Sequence, residues 1–358
     1  MKITVLNMLR REIMKVTIKD IAKATHVSIS AVSLALNSKP GVSEKTKDLI
    51  LQTAKEMGYR PTAKSEPLQA DQIVRVLKIK RHGHTINSSH NFFIDAYIEG
   101  INLVARSSGV TLQIGTYDTD TSITEIAYKM DHAPQFIGYL ILGTELSSND
   151  VTTLLATGKN IVFMDTFLDY IPADFVDMNN TDAVYKIVNY LKKHGHTQIG
   201  LIKSSVHTRN FFLREKAFYQ VMKDLDLTFN KNYIIDVDST FEGSHRDTLK
   251  YLKKHDQLQL PTAFFAINDI IAFGSMKAFQ EKGYIIPGDI SFIAFDNLPM
   301  GSMVSPSLTT IDVSKHKIGQ NALTMLLSKS KSNKCTSPMK TMIGGQLIER
   351  DSVSDLNK

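Results

Sequence analysis

Hydrophobic positions fall into two rhythms along this 358-residue chain. Up to about residue 60 they recur three and four apart. The stretch "TIKD", residues 17–20, reads as an N-cap with an acidic residue three positions on, opening a helix that buries Ile18, Ile21 and Ala22 and runs only to about Ala24. Ser28 then caps a second helix, residues 29–36, with Val32, Ala35 and Leu36 inward, and Asn37 is its stop. A third opens at Ser43 and Glu44, places Ile50, Ala54 and Met57 at i, i+4 and i+7, and ends at Gly58. With a tight connection over residues 25–27, this is a helix-turn-helix pattern, in which the second helix lies in a DNA major groove. The small residues of "SISAVSLALN" suit that task, because they let a helix approach base edges and phosphates closely.

From Val74 onward the rhythm changes to short apolar runs alternating with amphipathic helices. "VRVLKI", "VTLQIG", "IGYLIL" and "NIVFM" form one series. After a break, "DFVDM", "QIGLI", "YIIDV", "TAFFAI" and "DISFIAF" form a second. Two alternating series predict two doubly wound parallel-sheet lobes, and ligands of such sheets bind outside the carboxyl ends of the strands. Two facing lobes make a cleft. Between the two rhythms, "PTAKSEPLQADQ", residues 61–72, is polar with two prolines and reads as a linker. The predicted fold class is therefore an all-α helix-turn-helix headpiece followed by an α/β core of two lobes.

Charge sharpens this division. The chain carries 42 Lys and Arg against 36 Asp and Glu, a net charge of +6, and all of the excess lies in residues 1–66. A small basic block on an otherwise neutral chain is what a polyanion-binding module needs, since phosphate contacts supply most sequence-independent affinity. The single Cys335 excludes an internal disulfide framework, and no apolar run approaches the roughly 18 residues of a membrane span, so a reducing, cytoplasmic setting with no membrane is expected. Residues 1–13 carry two arginines and a glutamate after a very short apolar stretch, without a small-residue cleavage site, so a signal peptide is not expected. Met14, directly before the first capped helix, is a candidate second translation start. G-x-S-x-G, H-E-x-x-H, P-loop and G-x-G-x-x-G motifs are all missing, so neither an enzyme nor a cofactor is expected.

"VTIKDIAKATHVSISAVSLALNSKPGVSEKTKDLILQTAKEMGYRP", residues 16–61, resembles the DNA-binding headpiece of the lactose-repressor (LacI/GalR) family of bacterial transcription regulators. The two-lobed core resembles periplasmic sugar-binding proteins and that family's effector domain. The resemblance implies that Ile29, Ser30 and Leu34 read bases, and that Thr17, Ser28, Ser33, Asn37, Ser43 and Thr46 contact phosphates. Leu34 can touch a thymine methyl but cannot make a bidentate guanine contact. The linker would fold into a hinge helix on DNA, with Leu68 wedged into the minor groove. Pro67 departs from that pattern, because proline removes a helical hydrogen bond and disfavours helical geometry in the residue before it.

In the core the resemblance implies an effector pocket at Arg214, Asn268 and Asp296, with Asp238 and Glu145 as weaker members. An arginine fork, an amide and a carboxylate suit a polyhydroxylated ligand. Lys80, on one strand face with Lys78, would join Arg214 if the ligand were charged, such as a sugar phosphate or uronate; the alternative is that it is solvated at the cleft rim. His82, His84 and His90 follow at a spacing that superficially suits a metal, but without a Cys or carboxylate partner in the sequence nearby, and no metal site is assigned.

The expected organisation is an N-terminal extension at 1–13, a headpiece at 14–60, a hinge at 61–72 and a core at 73–358. One lobe is expected at about 73–167 and 303–331, the other at about 168–302 and 339–354. The expected function is a repressor of carbohydrate-utilisation genes. It would act as a homodimer on double-stranded operator DNA, with a sugar or sugar phosphate as effector and no coiled-coil tail after "LIERDSV" to make a tetramer. The alternatives are a regulator controlled by a partner protein and a sugar-binding protein without DNA function.

Overall fold

Three short helices form where the helical rhythm predicts them: α1 (Ile18–Thr25), α2 (Ile29–Leu36) and α3 (Glu44–Glu56). The computed structural model describes residues 16–36, 41–59, 73–134, 136–255, 259–330 and 337–358. The chain divides into two units, Met1–Leu68 and Gln69–Lys358, and each has its own apolar core.

In the first unit, Ile21, Ala22, Val32, Ala35, Ile50 and Ala54 meet in one cluster. Helices this short are marginal alone and are held by that packing and by their ends. Thr17 donates both its N–H (2.8 Å) and its hydroxyl (2.6 Å) to the Asp20 carboxylate at the start of α1. His26, at φ 54°, ends the helix in the left-handed region and makes the turn. The Ser28 hydroxyl accepts the Ala31 N–H (3.1 Å) to start α2, and Ser43 accepts the Thr46 N–H (3.3 Å) to start α3.

The second unit runs β1 (Ile73–Ile79), α4 (Asn91–Ser108), β2 (Thr111–Tyr117), α5 (Ile123–Asp131), β3 (Gly138–Leu142), α6 (Ser148–Leu155), β4 (Ile161–Met164) and β5 (Asp174–Met178). It continues through α7 (Asn180–Lys193), β6 (Ile199–Ser204), α8 (Arg209–Asp224), β7 (Ile234–Val237), α9 (Phe241–Lys254), β8 (Ala263–Ala266), α10 (Asp269–Glu281) and β9 (Ser291–Phe295). It closes with β10 (Thr309–Asp312), α11 (Lys315–Ser330), β11 (Lys340–Ile343) and β12 (Gln346–Ile348). One six-stranded sheet has the order β11-β5-β4-β3-β1-β2 and the other β12-β10-β9-β8-β6-β7; among the described residues only the β10–β12 pairing is antiparallel. Every residue of β3, β4, β5, β8 and β9 is buried, as strands covered on both faces by helices must be.

The expected lobe limits need correction. β5 pairs with β4 and β11 in the first sheet, so "DFVDM" and residues 340–343 belong to the first lobe, whereas β10 pairs with β9 in the second. The break in helix–strand alternation between β4 and β5 suggested a lobe boundary there. In fact β5 joins its neighbour directly through a loop, and the crossing to the second lobe comes with α7. On the first lobe, α4 and α11 approach backbone to backbone. A Cβ on Gly100 would fall 2.1 Å from the His316 carbonyl oxygen, and one on Gly319 would fall 2.2 Å from that of Tyr97. This contact fixes α4, whose first turn faces the cleft.

Candidate functional site

The headpiece presents the outward side of α2. Ile29 is 49% exposed, Ser30 is exposed, and Ser33 and Leu34 are half-buried. Thr17, Ser28, Ser43 and Thr46 are engaged at helix starts, where N–H groups already favour anions. Asn37 and Leu68, and Pro67 beside the latter, lie outside the described residues.

In the second unit, a cavity of about 40 Å³ lies between the lobes. Its walls come from the carboxyl ends of the strands. Thr85, Thr144 and Asp165 follow β1, β3 and β4, while Thr208, Asn268 and Asp296 follow β6, β8 and β9; His90 and Phe93 come from the start of α4, and Asn210, Phe211 and Arg214 from α8. Ligand pockets usually measure about 300–1,000 Å³, so the cavity is narrow as it stands.

Arg214 is 3% exposed and fully oriented. Its Nε donates to Asn180 Oδ1 (3.0 Å), Nη1 to the Ile267 carbonyl (2.8 Å) and Nη2 to Met178 Sδ (3.0 Å), while the guanidinium lies 3.6 Å above the Phe295 ring. Asp296 Oδ1 stands 3.6 Å from Nη2, too far for a hydrogen bond. Burial pushes the Asp296 carboxyl up to about 6, against the pull of Arg214 and Lys315. Asn268 caps α10 by accepting the Ile271 N–H (2.9 Å), which leaves its Nδ2 buried without a partner. His90 Nδ1 bonds to Asn87 Oδ1 (3.0 Å) and so carries the hydrogen, which leaves Nε2 as an unpartnered acceptor. Burial lowers this imidazole to about 4, so it is neutral near pH 7.

Arg214, Asn268 and Asp296 therefore meet as the sequence predicts, but the other three candidates stand elsewhere. Lys80 is paired with Asp118 (2.7 Å) and lines a separate surface cavity with Lys78, Asn87 and Thr116, so it does not assist Arg214. Asp238 accepts the Thr240 N–H (2.8 Å) and hydroxyl (2.6 Å) beside α9 and does not line the cleft cavity. Glu145 is occupied by its own chain. It accepts the backbone N–H groups of Arg81, His82, Gly83, Thr85 and Ile86, all at 2.8–2.9 Å, and the Thr85 hydroxyl at 3.0 Å. Burial works against its charge, yet these donors hold the carboxyl at about 2. It is a fastener for the loop after β1.

Two carboxylates escaped the sequence reading. Asp165, in the left-handed region at φ 58°, accepts from Tyr97 (3.0 Å), Asn210 (3.1 Å) and the Thr144 hydroxyl. Asp177, fully buried within β5, shares the Asn210 amide (3.3 Å), and its Oδ2 has no partner. Burial raises both, and the Asp165 charge raises Asp177 further. The signals that could have found them are the strand-end position of Asp165, directly after "NIVFM", and the carboxylate of Asp177 inside the apolar run "DFVDM".

With this geometry in place, the comparisons with known proteins agree on one class. Residues 17–62 match the model of the lacI family of bacterial regulatory proteins, and residues 188–353 match the periplasmic binding protein-like domain. The HTH-type transcriptional repressor PurR of Klebsiella pneumoniae is 30% identical over 342 residues, covering 95% of this chain and 97% of that protein. PurR of Vibrio cholerae is 28% identical over 349 residues, covering 96% and 99%. Among solved structures, the LacI family regulator CCPA from Weissella paramesenteroides with bound glucose is 26% identical with a TM-score of 0.65, covering 80% of this chain and 100% of that one. The Lac repressor dimer bound to operator and the anti-inducer ONPF shares the fold at 21% identity and a TM-score of 0.69, covering 95% and 100%. The chain belongs to the lacI family of bacterial regulatory proteins. It is a DNA-binding transcriptional repressor of the LacI/PurR type, and its relatives are repressors rather than enzymes. Among the described residues, no helix is long and apolar enough to cross a membrane.

Proposed function

We propose that the protein represses carbohydrate-utilisation genes in the cytoplasm, and that a sugar or sugar derivative bound between the lobes of residues 73–358 controls its grip on operator DNA. Residues 14–60 form the DNA-binding domain. Ile29, Ser30 and Leu34 read bases, Thr17, Ser28, Ser33, Asn37, Ser43 and Thr46 meet phosphates, and the hinge at 61–72 brings Leu68 to the minor groove. The observation that carries the effector reading is the convergence of unpartnered buried polar atoms, on Asn268, Asp296 and His90, upon one cavity beside a stacked guanidinium. Buried polar groups are costly unless bonded, so an opened cleft gains from a ligand that completes them. The glucose in the Weissella paramesenteroides protein favours a sugar.

A homodimer is part of this proposal, because one short helix reads few base pairs and two-fold pairing doubles the site. It is supported by an apolar cavity of about 590 Å³ lined by Phe92, Phe241, Ile270, Phe273, Met300 and Val304, where Phe92 is 68% and Met300 50% exposed. Apolar surface left open in this way marks an interface. A purine base is the second reading for the effector, favoured by the PurR relatives.

A thermal-shift screen of the full chain with hexoses, hexose derivatives and purine bases tests the effector reading. A sugar or sugar derivative is expected to raise the melting temperature by several degrees. Stabilisation by purine bases alone would favour the second reading, and no stabilisation by any compound would remove both.

A further inference from the structure

The sign of charge inside the cleft bears on which sugar derivative fits, and this inference rests on the effector reading above. Asp165 and Asp296 line the cavity, and Asp177 stands directly behind it through the shared Asn210 amide. Among the described residues one cation, Arg214, lines the cavity with them, and its hydrogen bonds to Asn180, Ile267 and Met178 already fix it in the second wall. Lys315, the other cation acting on Asp296, is turned to the Asp296 carbonyl (2.6 Å) and Asp312 (3.3 Å). Burial keeps Asp177 protonated near neutral pH, so Asp165 and Asp296 are the carboxylates set against Arg214 and Lys315, and Lys315 is engaged by Asp312 as well. Lys80, which could have supplied compensating charge, pairs with Asp118 outside the cavity.

The unpartnered atoms point the same way. Asp296 Oδ1 and His90 Nε2 are acceptors, both on residues more than nine-tenths buried, while Asn268 Nδ2 is the unpartnered side-chain donor among the described lining residues. A phosphate or carboxylate on the ligand would bring more acceptors and more negative charge to a wall already rich in both. A positively charged donor would meet two waiting acceptors, while the Phe93 ring is already faced by Lys315 Nζ at 5.2 Å.

We propose that the effector is an amino sugar in its protonated form, its ammonium donating to Asp296 Oδ1 and His90 Nε2 and its hydroxyls completing Asn268 and Arg214. Sugar phosphates and uronates are excluded by the same arrangement.

Calorimetry on the full chain tests this with glucosamine, galactosamine and mannosamine against three matched counterparts: the parent hexoses, their N-acetylamino forms and their 6-phosphates. The runs are made at about pH 6.5, below the usual range of about 7.7–8.0 for an α-amino group. At least one amine is expected to bind about tenfold more tightly than its parent hexose and its N-acetyl form, with the 6-phosphates weakest. Asp296→Asn, which keeps shape and removes charge, is expected to weaken the amine at least about tenfold more than it weakens the parent hexose, so that the preference is lost, as a charge-specific contact requires. The proposal is overturned if a hexose or 6-phosphate binds as tightly as its amine, if no amine binds, or if Asp296→Asn keeps the preference. Binding of a neutral sugar without binding of any amine would end this inference and leave the sugar-effector reading standing. Silence from every sugar would end both.

Discussion

Replacing Glu145 with alanine is expected to destabilise the core by about 3–5 kcal/mol in urea unfolding, the largest effect of any single substitution considered for this protein. The carboxylate accepts five backbone N–H groups and one hydroxyl from residues 81–86, and its side chain is fully buried. Its loss leaves those donors without their acceptor, and an unmade buried hydrogen bond costs far more than a made one gains. Glu145→Gln keeps one oxygen and should cost less. The same bonds set an acid limit: with its folded pKa depressed to about 2, Glu145 contributes stability that is present above the usual carboxylate range and is lost as pH falls toward 2. A cost below about 1 kcal/mol for the alanine variant would mean that the loop holds itself without the carboxylate.

Asp177→Asn is expected to do the opposite, stabilising the core at alkaline pH. Burial, with the Asp165 charge beside it, raises Asp177 to about 8 in the folded protein. A raised acid contributes its full stability below its unfolded value near 4, and that contribution is lost as pH rises toward 8. Above that window the folded state holds a second buried negative charge next to Asp165. Asparagine copies the protonated shape without that penalty, and a gain of about 1–3 kcal/mol is expected at pH near 8.5, shrinking toward zero near pH 4. Melting temperatures of parent and variant across this range provide the check. Parallel pH profiles would show that Asp177 does not titrate in the window.

The fold was legible because each level of the sequence agreed with the next. Caps at Thr17, Ser28 and Ser43 match the inward positions Ile21, Val32 and Ile50, and the apolar runs after Val74 all became strands. The lobe limits were less legible because sheet membership depends on non-local pairing, and nothing within "DFVDM" says that it lies beside "NIVFM". The site divided along the same line. Arg214, Asn268 and Asp296 could be found because they stand at a family position or a strand end, and Asp165 obeys the same rule. Glu145, Asp238 and Lys80 show what residue type leaves open: a carboxylate near a cleft can be spent on backbone N–H groups, and a lysine on a neighbouring aspartate. Only the three-dimensional bond inventory separates those uses.

If the cavity around Arg214 governs DNA binding, operator affinity measured by fluorescence anisotropy must change with the sugar found by thermal shift. The intact parent protein is compared with Asn268→Ser, which keeps a capping oxygen for α10 but removes the unpartnered amide donor. The sugar is expected to change the parent's operator affinity by about 5–150-fold, the usual span of coupling between two sites, and Asn268→Ser is expected to bind operator as the parent does but to respond to the sugar at least about tenfold less sensitively. An operator affinity that the sugar leaves unchanged, or a variant that responds as the parent does, would contradict it.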